Sequence, residues 1–309
     1  DVLEQQWQPA GASRPFLRLG VSEGFEYTYD PATKQVTGMW LNGAALKDDQ
    51  TYSVTANSFL AAGGDNFTAF RAGTGNRDTG QVDLAAMVDY MEDYATTPLA
   101  VDASQRAVGV SCPDGAPASY KTGDTLAFDL SSLAMTGTGD AQDSTVEVFL
   151  GSTSLGSFPV DNTVAAGATD DEAGRASVSV AVPQYYGAPQ AVTVVGDTTG
   201  TEVSVPVTFA AQKATAKVKA AVAPKKIVRK KTKAKVTVTV TAPTKVTGKV
   251  TLKVKGVKKT FTGKVNAKGK VVFTLPKFKK AGAFKATVRY LGSDTVKAAS
   301  NTVTIRVRR

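Results

Sequence analysis

Ser58-Phe59-Leu60-Ala61-Ala62-Gly63-Gly64-Asp65-Asn66-Phe67 is the run that decides how the N-terminal third of this 309-residue chain folds. Residues 51–56 alternate in polarity and predict a strand leading into it. Two glycines then allow a turn where a Cβ would clash. A flat ring can stack on a base, and a carboxylate can accept hydrogen bonds from two ribose hydroxyls, so the run is compatible with a nucleoside site. Alternatively, Phe59 and Phe67 are simply core side chains, since apolar aromatics are usually buried.

Further motifs surround this run in a fixed order. They are Pro15-Phe16-Leu17-Arg18-Leu19-Gly20, Tyr27-Thr28-Tyr29-Asp30, Leu41-Asn42-Gly43, Thr51-Tyr52-Ser53-Val54-Thr55-Ala56-Asn57 and Asp78-Thr79-Gly80. Together they resemble the C-terminal, substrate-binding domain of the 5′-nucleotidase family over residues 1–109. The resemblance implies a secreted or surface phosphohydrolase that removes phosphate from nucleotides. It also implies that the chain is truncated at its N-terminus, lacking the catalytic domain.

The resemblance assigns roles to individual residues. Phe59 and Phe16 take the positions of the two aromatic residues that sandwich the base, and Asp65 takes the position that binds the ribose hydroxyls. Gly63 and Gly64 would let the backbone approach the sugar.

Arg18 departs from the family pattern. The family often has an amide side chain at this position that reaches a base nitrogen. An arginine offers donors only, so the base preference stays open. Alternatively, Arg18 is a solvated strand residue, because arginine is mostly exposed.

The chain has no histidine and one cysteine, Cys112. Metallophosphoesterases hold two metals with histidine and carboxylate ligands, so these residues are not expected to build that centre. We expect no cofactor on this chain, and divalent metals on the missing N-terminal domain. Cys112 is expected to be a small buried thiol.

The first segment has an α+β pattern. Strands are predicted at 24–29, 36–41 and 51–56, and Asn42-Gly43 has the composition of a hairpin turn. Asp1 to Trp7 resembles the end of a helix, with Leu3 and Trp7 on one face. Leu84, Met87, Val88 and Met91 share one face of a later helix and are expected in the core.

Charge divides the chain into three parts. Residues 1–103 hold 6 Lys/Arg and 14 Asp/Glu, residues 104–210 hold 3 and 12, and residues 211–309 hold 28 and 1. Such asymmetry is a sign of an interaction region. We predict three domains: 1–109 as the partial 5′-nucleotidase-type domain, and 110–212 and 213–309 as two all-β, immunoglobulin-like sandwiches.

Alternating polarity supports both sandwiches. In the acidic segment, Asp161, Asp170, Asp171 and Glu172 are compatible with either a calcium site or a solvated loop, but their spacing matches no calcium motif. A linker is expected to run from about 210 to Pro224. Strands are predicted at 145–150, 176–182, 190–195, 202–209, 235–241, 249–255, 271–275, 284–290 and 302–307.

The lysines of residues 213–309 have two explanations. Lysine protects strand edges and keeps a domain soluble, or it binds a polyanion such as a cell-wall phosphate polymer, an acidic membrane surface or extracellular DNA. A charge of +27 exceeds the magnitude of about 2–8 that solubility needs, which favours the polyanion. Few aromatics lie among the lysines, so sequence-specific nucleic-acid recognition is not expected. No apolar run reaches the ~18 residues of a membrane span.

Residues 213–309 resemble the lysine-rich immunoglobulin-like repeats at the ends of secreted actinobacterial proteins. Together with the first resemblance, this implies the C-terminal part of a secreted, actinobacterial 5′-nucleotidase-like enzyme. Residues 1–109 would hold the nucleoside of a nucleotide, and the basic segment would retain the protein at an anionic cell surface. Two alternatives stay open, a non-catalytic extracellular binding or adhesion module and a purely structural chain with a degenerate first domain.

Overall fold

The computed structural model describes residues 1–134, 137, 139–164, 173–187 and 191–309. The described chain is mainly β, and it forms two compact units. The first unit contains Asp1–Ala118, Thr125–Ala181 and Gln190–Thr208, and the second contains Ser119–Asp124, Val182–Pro189 and Phe209–Arg309. The prediction of a mainly β chain is therefore confirmed.

Among its described residues, the first unit contains two sheets and two α-helices. Its helices are α1 (Ser58–Ala61) and α2 (Asp83–Tyr94), and short 3-10 turns cover Glu4–Gln6, Gly64–Asn66 and Thr68–Ala72. The strands are β1 (Phe25–Asp30), β2 (Gln35–Leu41), β3 (Ala44–Ala45), β4 (Ala107–Ser111), β5 (Thr125–Ser131), β6 (Thr145–Leu150), β7 (Thr153–Pro159), β8 (Ala176–Ala181), β9 (Val192–Gly196) and β10 (Glu202–Val205).

One six-stranded sheet runs through both acidic segments, in the order β3-β2-β1-β4-β5-β8. The Asn42-Gly43 turn closes β2 onto β3, with positive φ at both residues as a tight hairpin requires.

β1 pairs in parallel with β4, with Tyr27 opposite Ala107, and the other pairs of this sheet are antiparallel. The strands of the first segment thus extend the sheet of the second.

A second sheet completes the first unit, in the order β10-β9-β6-β7. Alternate residues of its strands are buried, such as Val146, Val148 and Leu150 of β6. Leu126, Phe128 and Leu130 of β5 are buried in the same alternating way in the first sheet. The period-two pattern in the sequence therefore identifies the inward faces of both sheets.

Three predictions for residues 51–112 are wrong. Residues 51–56 form no strand, and Val54 is 74% exposed, because no neighbouring strand pairs with this stretch in the described chain. α2 forms, but its apolar stripe is exposed, from 46% at Val88 to 71% at Leu84, since no described element covers it. Cys112 is exposed, although partial burial still raises the pKa of its thiol.

The N-terminal residues form only a 3-10 turn, Glu4–Gln6, where the sequence predicts the end of a helix. The difference has a local reason. The chain turns back after this point, because Trp7 forms an antiparallel bridge with Phe16 and the backbone N–H of Gln8 donates to the carbonyl of Pro15.

The acidic candidates of the second segment are only partly described. Asp161 forms an ion pair with Arg175 at 3.2 Å, and the donors of Thr163 together with Arg175 lower the pKa of the Asp161 carboxyl to about 2. Asp161 therefore has partners within the protein. Asp170, Asp171 and Glu172 lie outside the described residues.

The second unit contains a three-stranded sheet, β11-β13-β16, and a five-stranded sheet, β12-β18-β17-β14-β15. One core of inward valines and larger side chains, including Val238, Leu252 and Tyr290, draws on both sheets. The strands are β11 (Lys217–Ala223), β12 (Ile227–Val228), β13 (Lys235–Thr241), β14 (Lys249–Val254), β15 (Thr260–Lys264), β16 (Lys270–Thr274), β17 (Gly282–Tyr290) and β18 (Ala299–Arg308).

The predicted linker before Pro224 is wrong, because β11 occupies its second half and pairs with β13 along the whole length of the strand. Lys217 and Lys219 alternate there with inward Val218 and Ala220, which is a short strand pattern. None of the helices in the described part of the chain has the length and apolar character that crossing a bilayer requires.

Two valines of the three-stranded sheet test this core. Val238→Ala removes a fully buried side chain and should lower the free energy of unfolding by about 2–3 kcal/mol. Val272→Ala changes a residue that is 55% exposed and should have an effect below about 0.5 kcal/mol. Urea-dependent hydrogen exchange of β13 and β16 peptides measures both. Equal effects would contradict the assignment of the inward face.

Candidate functional site

The predicted glycine turn has a backbone that few residues tolerate. Asn57 caps α1 by accepting a hydrogen bond at Oδ1 from the N–H of Leu60, 2.8 Å away. After α1, Gly63 (φ 79°), Asp65 (φ 50°) and Asn66 (φ 66°) are left-handed. Glycine, aspartate and asparagine are the residues that enter this region most readily, so the local sequence fits the turn.

Phe59 lies against this turn. A Cβ at Gly64 would lie 2.5 Å from Cζ of the Phe59 ring, so only glycine admits the ring at this distance. Phe59 is nevertheless 58% exposed, whereas Phe67 is 1% exposed. The core interpretation of the two phenylalanines is thus correct for Phe67 and wrong for Phe59.

Asp65 presents its carboxylate at the same turn. Arg14 Nη2 lies 3.3 Å from Asp65 Oδ2, and the two side chains are 65% and 40% exposed. An exposed pair of this kind contributes at most about 1 kcal/mol, so a ligand hydroxyl can compete with it. The sequence contains no pattern that would have indicated Arg14.

Arg71 contacts the other side of the turn. Its Nε donates to the carbonyl of Ala62 at 2.8 Å. A Cβ at Gly63 would lie 2.5 Å from the same Nε, so the first glycine makes room for this guanidinium as well as for a positive φ. The two glycines therefore have separate structural functions, one facing Arg71 and the other Phe59.

Phe16 lies in a group of aromatic rings. Its centroid is 5.3 Å from that of Trp7, and Trp7 is 4.9 Å from Tyr29. Within the described residues, the ring contact of Phe16 is with Trp7 and not with Phe59. The half-buried Phe16 is thus fixed by neighbours that the sequence analysis did not single out.

Two glutamines connect the Phe16 segment to the glycine turn. Gln8 Nε2 donates to the carbonyl of Asp65 at 2.9 Å, and Asn66 Nδ2 donates to Gln8 Oε1 at 2.7 Å. Gln5 Nε2 donates to Thr68 Oγ1 at 3.1 Å and its Oε1 accepts from the N–H of Ala69. Because the backbone N–H of Gln8 also donates to the carbonyl of Pro15, next to Phe16, these amides link the Phe16 segment to the glycine turn.

Gln6 lies between Gln5 and Gln8 in the chain, and its side chain is fully buried. Its Nε2 donates to Leu3 O and Tyr27 Oη, and its Oε1 accepts from the N–H of Leu19 at 2.7 Å. Burial raises the pKa of the Tyr27 hydroxyl, and its hydrogen bond with Gln6 acts in the opposite direction. The three glutamines within Gln5-Gln6-Trp7-Gln8 are the signal that could have identified this scaffold.

Arg18 is half-buried, and its Nη2 donates to the carbonyl of Ala107 at 3.1 Å. This contact joins the Phe16 segment to the start of β4. Among the described residues, no group of three or more histidine, cysteine, aspartate or glutamate side chains could hold a metal ion.

Residues 1–72 match the family model described as the 5′-nucleotidase C-terminal domain. The match contains Phe16, Arg18, Phe59, Gly63, Gly64 and Asp65. It supports a nucleotidase-like substrate-binding portion at the start of the chain. No curated protein matches the sequence.

Similarity to solved structures is weak. Escherichia coli alpha-2-macroglobulin activated by porcine elastase is 12% identical over 65% of this chain, with a TM-score of 0.23, and the chain spans only 23% of it. The FN1-FN3 domains of chicken CNTN1 are 14% identical over 63% of this chain and 69% of theirs, with a TM-score of 0.24. Domains A168-A170 of titin are 12% identical over 65% and 66%, with a TM-score of 0.21. TM-scores of this size do not establish a shared fold.

Replacing Gln8 tests whether it holds the turn. Gln8→Ala removes both of its contacts to residues 65 and 66, so hydrogen exchange of peptides covering 63–72 should become about tenfold faster. Gln35→Ala is the matched control, because Gln35 is exposed on β2. Unchanged exchange in Gln8→Ala would show that the turn is held by other contacts.

Proposed function

We propose that this chain is the substrate-binding part of a secreted 5′-nucleotidase-like phosphohydrolase. In this proposal residues 1–109 bind the nucleoside part of a nucleotide. A metal-dependent domain that these 309 residues do not include hydrolyses the phosphoester. The observation that carries the proposal is the exposed ring of Phe59 against Gly64, followed directly in the chain by the partly exposed carboxylate of Asp65, within residues that match the family model.

Each side chain has a chemical reason for its role. The exposed face of Phe59 stacks on the base, which is worth about 1–3 kcal/mol. Asp65 accepts hydrogen bonds from the two ribose hydroxyls, and the exposed Arg14 gives way to them. Phe16 covers the other side of the base, Gly63 and Gly64 allow the sugar to approach, and Arg18 influences which base is preferred.

The residues present do not fit the metal centre of a phosphoesterase. The chain contains no histidine, and its described residues offer no group of ligands. We assign the divalent metals to the catalytic domain and propose that this chain holds no cofactor of its own. Its residues bind and orient the nucleoside and perform no chemical step.

We assign residues 110–212 and 213–309 to two immunoglobulin-like sandwiches outside the cell. The 28 Lys and Arg side chains of residues 211–309 are all exposed, against a single acidic residue. None of the ion pairs in the described part of the chain involves this segment. The uncompensated charge supports retention at an anionic cell-wall polymer or another polyanion, without sequence-specific binding to nucleic acid.

The alternative function is a non-catalytic extracellular module that binds or adheres. The same nucleoside site and basic segment serve it. The two proposals differ in whether a metal-dependent phosphoesterase domain accompanies the site, which the gene sequence next to the codon for Asp1 decides.

Titration calorimetry with adenosine tests the site. Phe59→Ala should weaken binding about 5- to 100-fold, since it removes the stacking surface. Asp65→Asn should weaken it about tenfold, because a carboxylate accepts stronger hydrogen bonds than an amide. Tyr94→Ala and Asp48→Asn are matched controls, an exposed aromatic residue and an exposed carboxylate elsewhere. Folded protein without binding at millimolar adenosine, or equal losses in the controls, would refute the site.

Heparin chromatography tests retention. The full chain should bind at low salt and elute as salt rises, because counterions compete for exposed lysines. Retention that ignores salt, or no retention at low salt, would contradict the polyanion proposal.

A further inference from the structure

We propose that one end of the lysine-rich segment binds a linear phosphodiester polymer that carries no bases. This inference rests on the polyanion retention proposed above and gives it a place and a ligand class. The site, called the basic pole, consists of residues 225–231, 255–259, 277–285 and 306–309. These 25 positions carry 15 of the 28 basic residues of the segment and no acidic one.

Backbone pairing brings the four stretches together. The N–H of Arg229 donates to the carbonyl of Arg308 at 3.0 Å, and that of Lys230 donates to Phe278 at 2.8 Å. Across the next strand pair, Arg306 lies opposite Ala283. The N–H of Lys255 then donates to the carbonyl of Lys285 at 2.9 Å. Each stretch therefore contacts a neighbour in the pole, although up to 84 positions separate them in sequence.

The charges of the pole are exposed and uncompensated. All 15 basic side chains are exposed, and the ion pairs within the described residues include none of them. Lys255 and Lys285 are cross-strand neighbours, an arrangement of like charges that destabilises a sheet. Solubility would be served better by interspersed charges of both signs. A ligand that supplies negative charge removes this repulsion.

The remaining side chains restrict the ligand. Ile227, Phe278 and Val307 are buried, and Phe284 is half-buried, so the pole has no exposed aromatic surface for stacking bases. It also has no exposed large apolar side chain to enter a bilayer. Lysine, the main residue here, contacts phosphates as a point charge. These features favour a flexible polymer of alkyl phosphodiesters over nucleic acid or membrane.

The opposite end of the segment provides a control. β18 extends ten residues from Ala299 to Arg308, which separates the ends by about 30 Å. Lys217, Lys245, Lys268 and Lys297 lie away from the pole, near the beginning of β11, the β13–β14 loop, the β15–β16 turn and the beginning of β18. Their neutralisation changes net charge by the same amount as four substitutions in the pole.

The experiment measures binding of synthetic poly(glycerol phosphate) to the full chain between about 50 and 200 mM salt. Replacing Lys226, Lys258, Lys279 and Lys280 with glutamine should weaken binding at least tenfold at about 100 mM salt. It should also lower the slope of log affinity against log salt by about 3. The far-end quadruple variant should change affinity less than threefold. Unchanged thermal unfolding checks that both variants fold.

Several results would overturn the inference. Equal losses in the two variants would show that net charge, and not the pole, binds the polymer, while leaving polyanion retention intact. Tighter binding of double-stranded DNA, single-stranded DNA or anionic vesicles than of the polymer would show that the ligand class is wrong. Failure of the unmodified chain to bind any of these probes would refute the retention proposal itself.

Discussion

The candidate site depends on hydrogen bonds from three neighbouring glutamine side chains. Gln6 is buried and joins the first turn of the chain to Leu19 and Tyr27, while Gln5 and Gln8 reach the segment that contains Asp65. A buried amide that lost these partners would carry a penalty of about 1–3 kcal/mol for each unsatisfied group. The geometry around Asp65 is thus coupled to the packing of β1, through residues that would not themselves contact a ligand.

Charge and burial act differently in the two units. In the first unit the acidic side chain of Asp65 is paired with Arg14, and Asp161 is paired with Arg175. In the lysine-rich segment a core of valines stabilises the fold and leaves every basic side chain on the surface without an ion pair. The buried core therefore has to offset the repulsion among these surface charges.

Much of the local structure could be predicted from the sequence. Alternating apolar residues identify β6 and β13 to the residue, and Gly63 has the left-handed backbone that its composition indicates. Such features depend on neighbours in the chain, which is why periodicity and glycine content reveal them. The location of Phe59 next to Gly64 also follows from their short separation.

Long-range features could not be predicted in this way. Residues 51–56 alternate in polarity like a strand, but a strand forms only where a neighbouring strand pairs with it. The sequence of this stretch does not reveal whether such a neighbour is present, and the described chain provides none. The stripe of α2 has core spacing, but burial depends on what packs against it. The parallel pairing of β1 with β4 and the contact of Arg14 with Asp65 join residues more than 50 positions apart. Only the three-dimensional structure brings them together.

The most direct measurement of the central claim is an NMR experiment on the full chain with adenosine. The account predicts intermolecular nuclear Overhauser effects from the ring protons of Phe59 and Phe16 to protons of the base, with the ribose nearest to Asp65. Effects that arise only from other residues, or none while the protein is folded and the nucleoside is in excess, would contradict it.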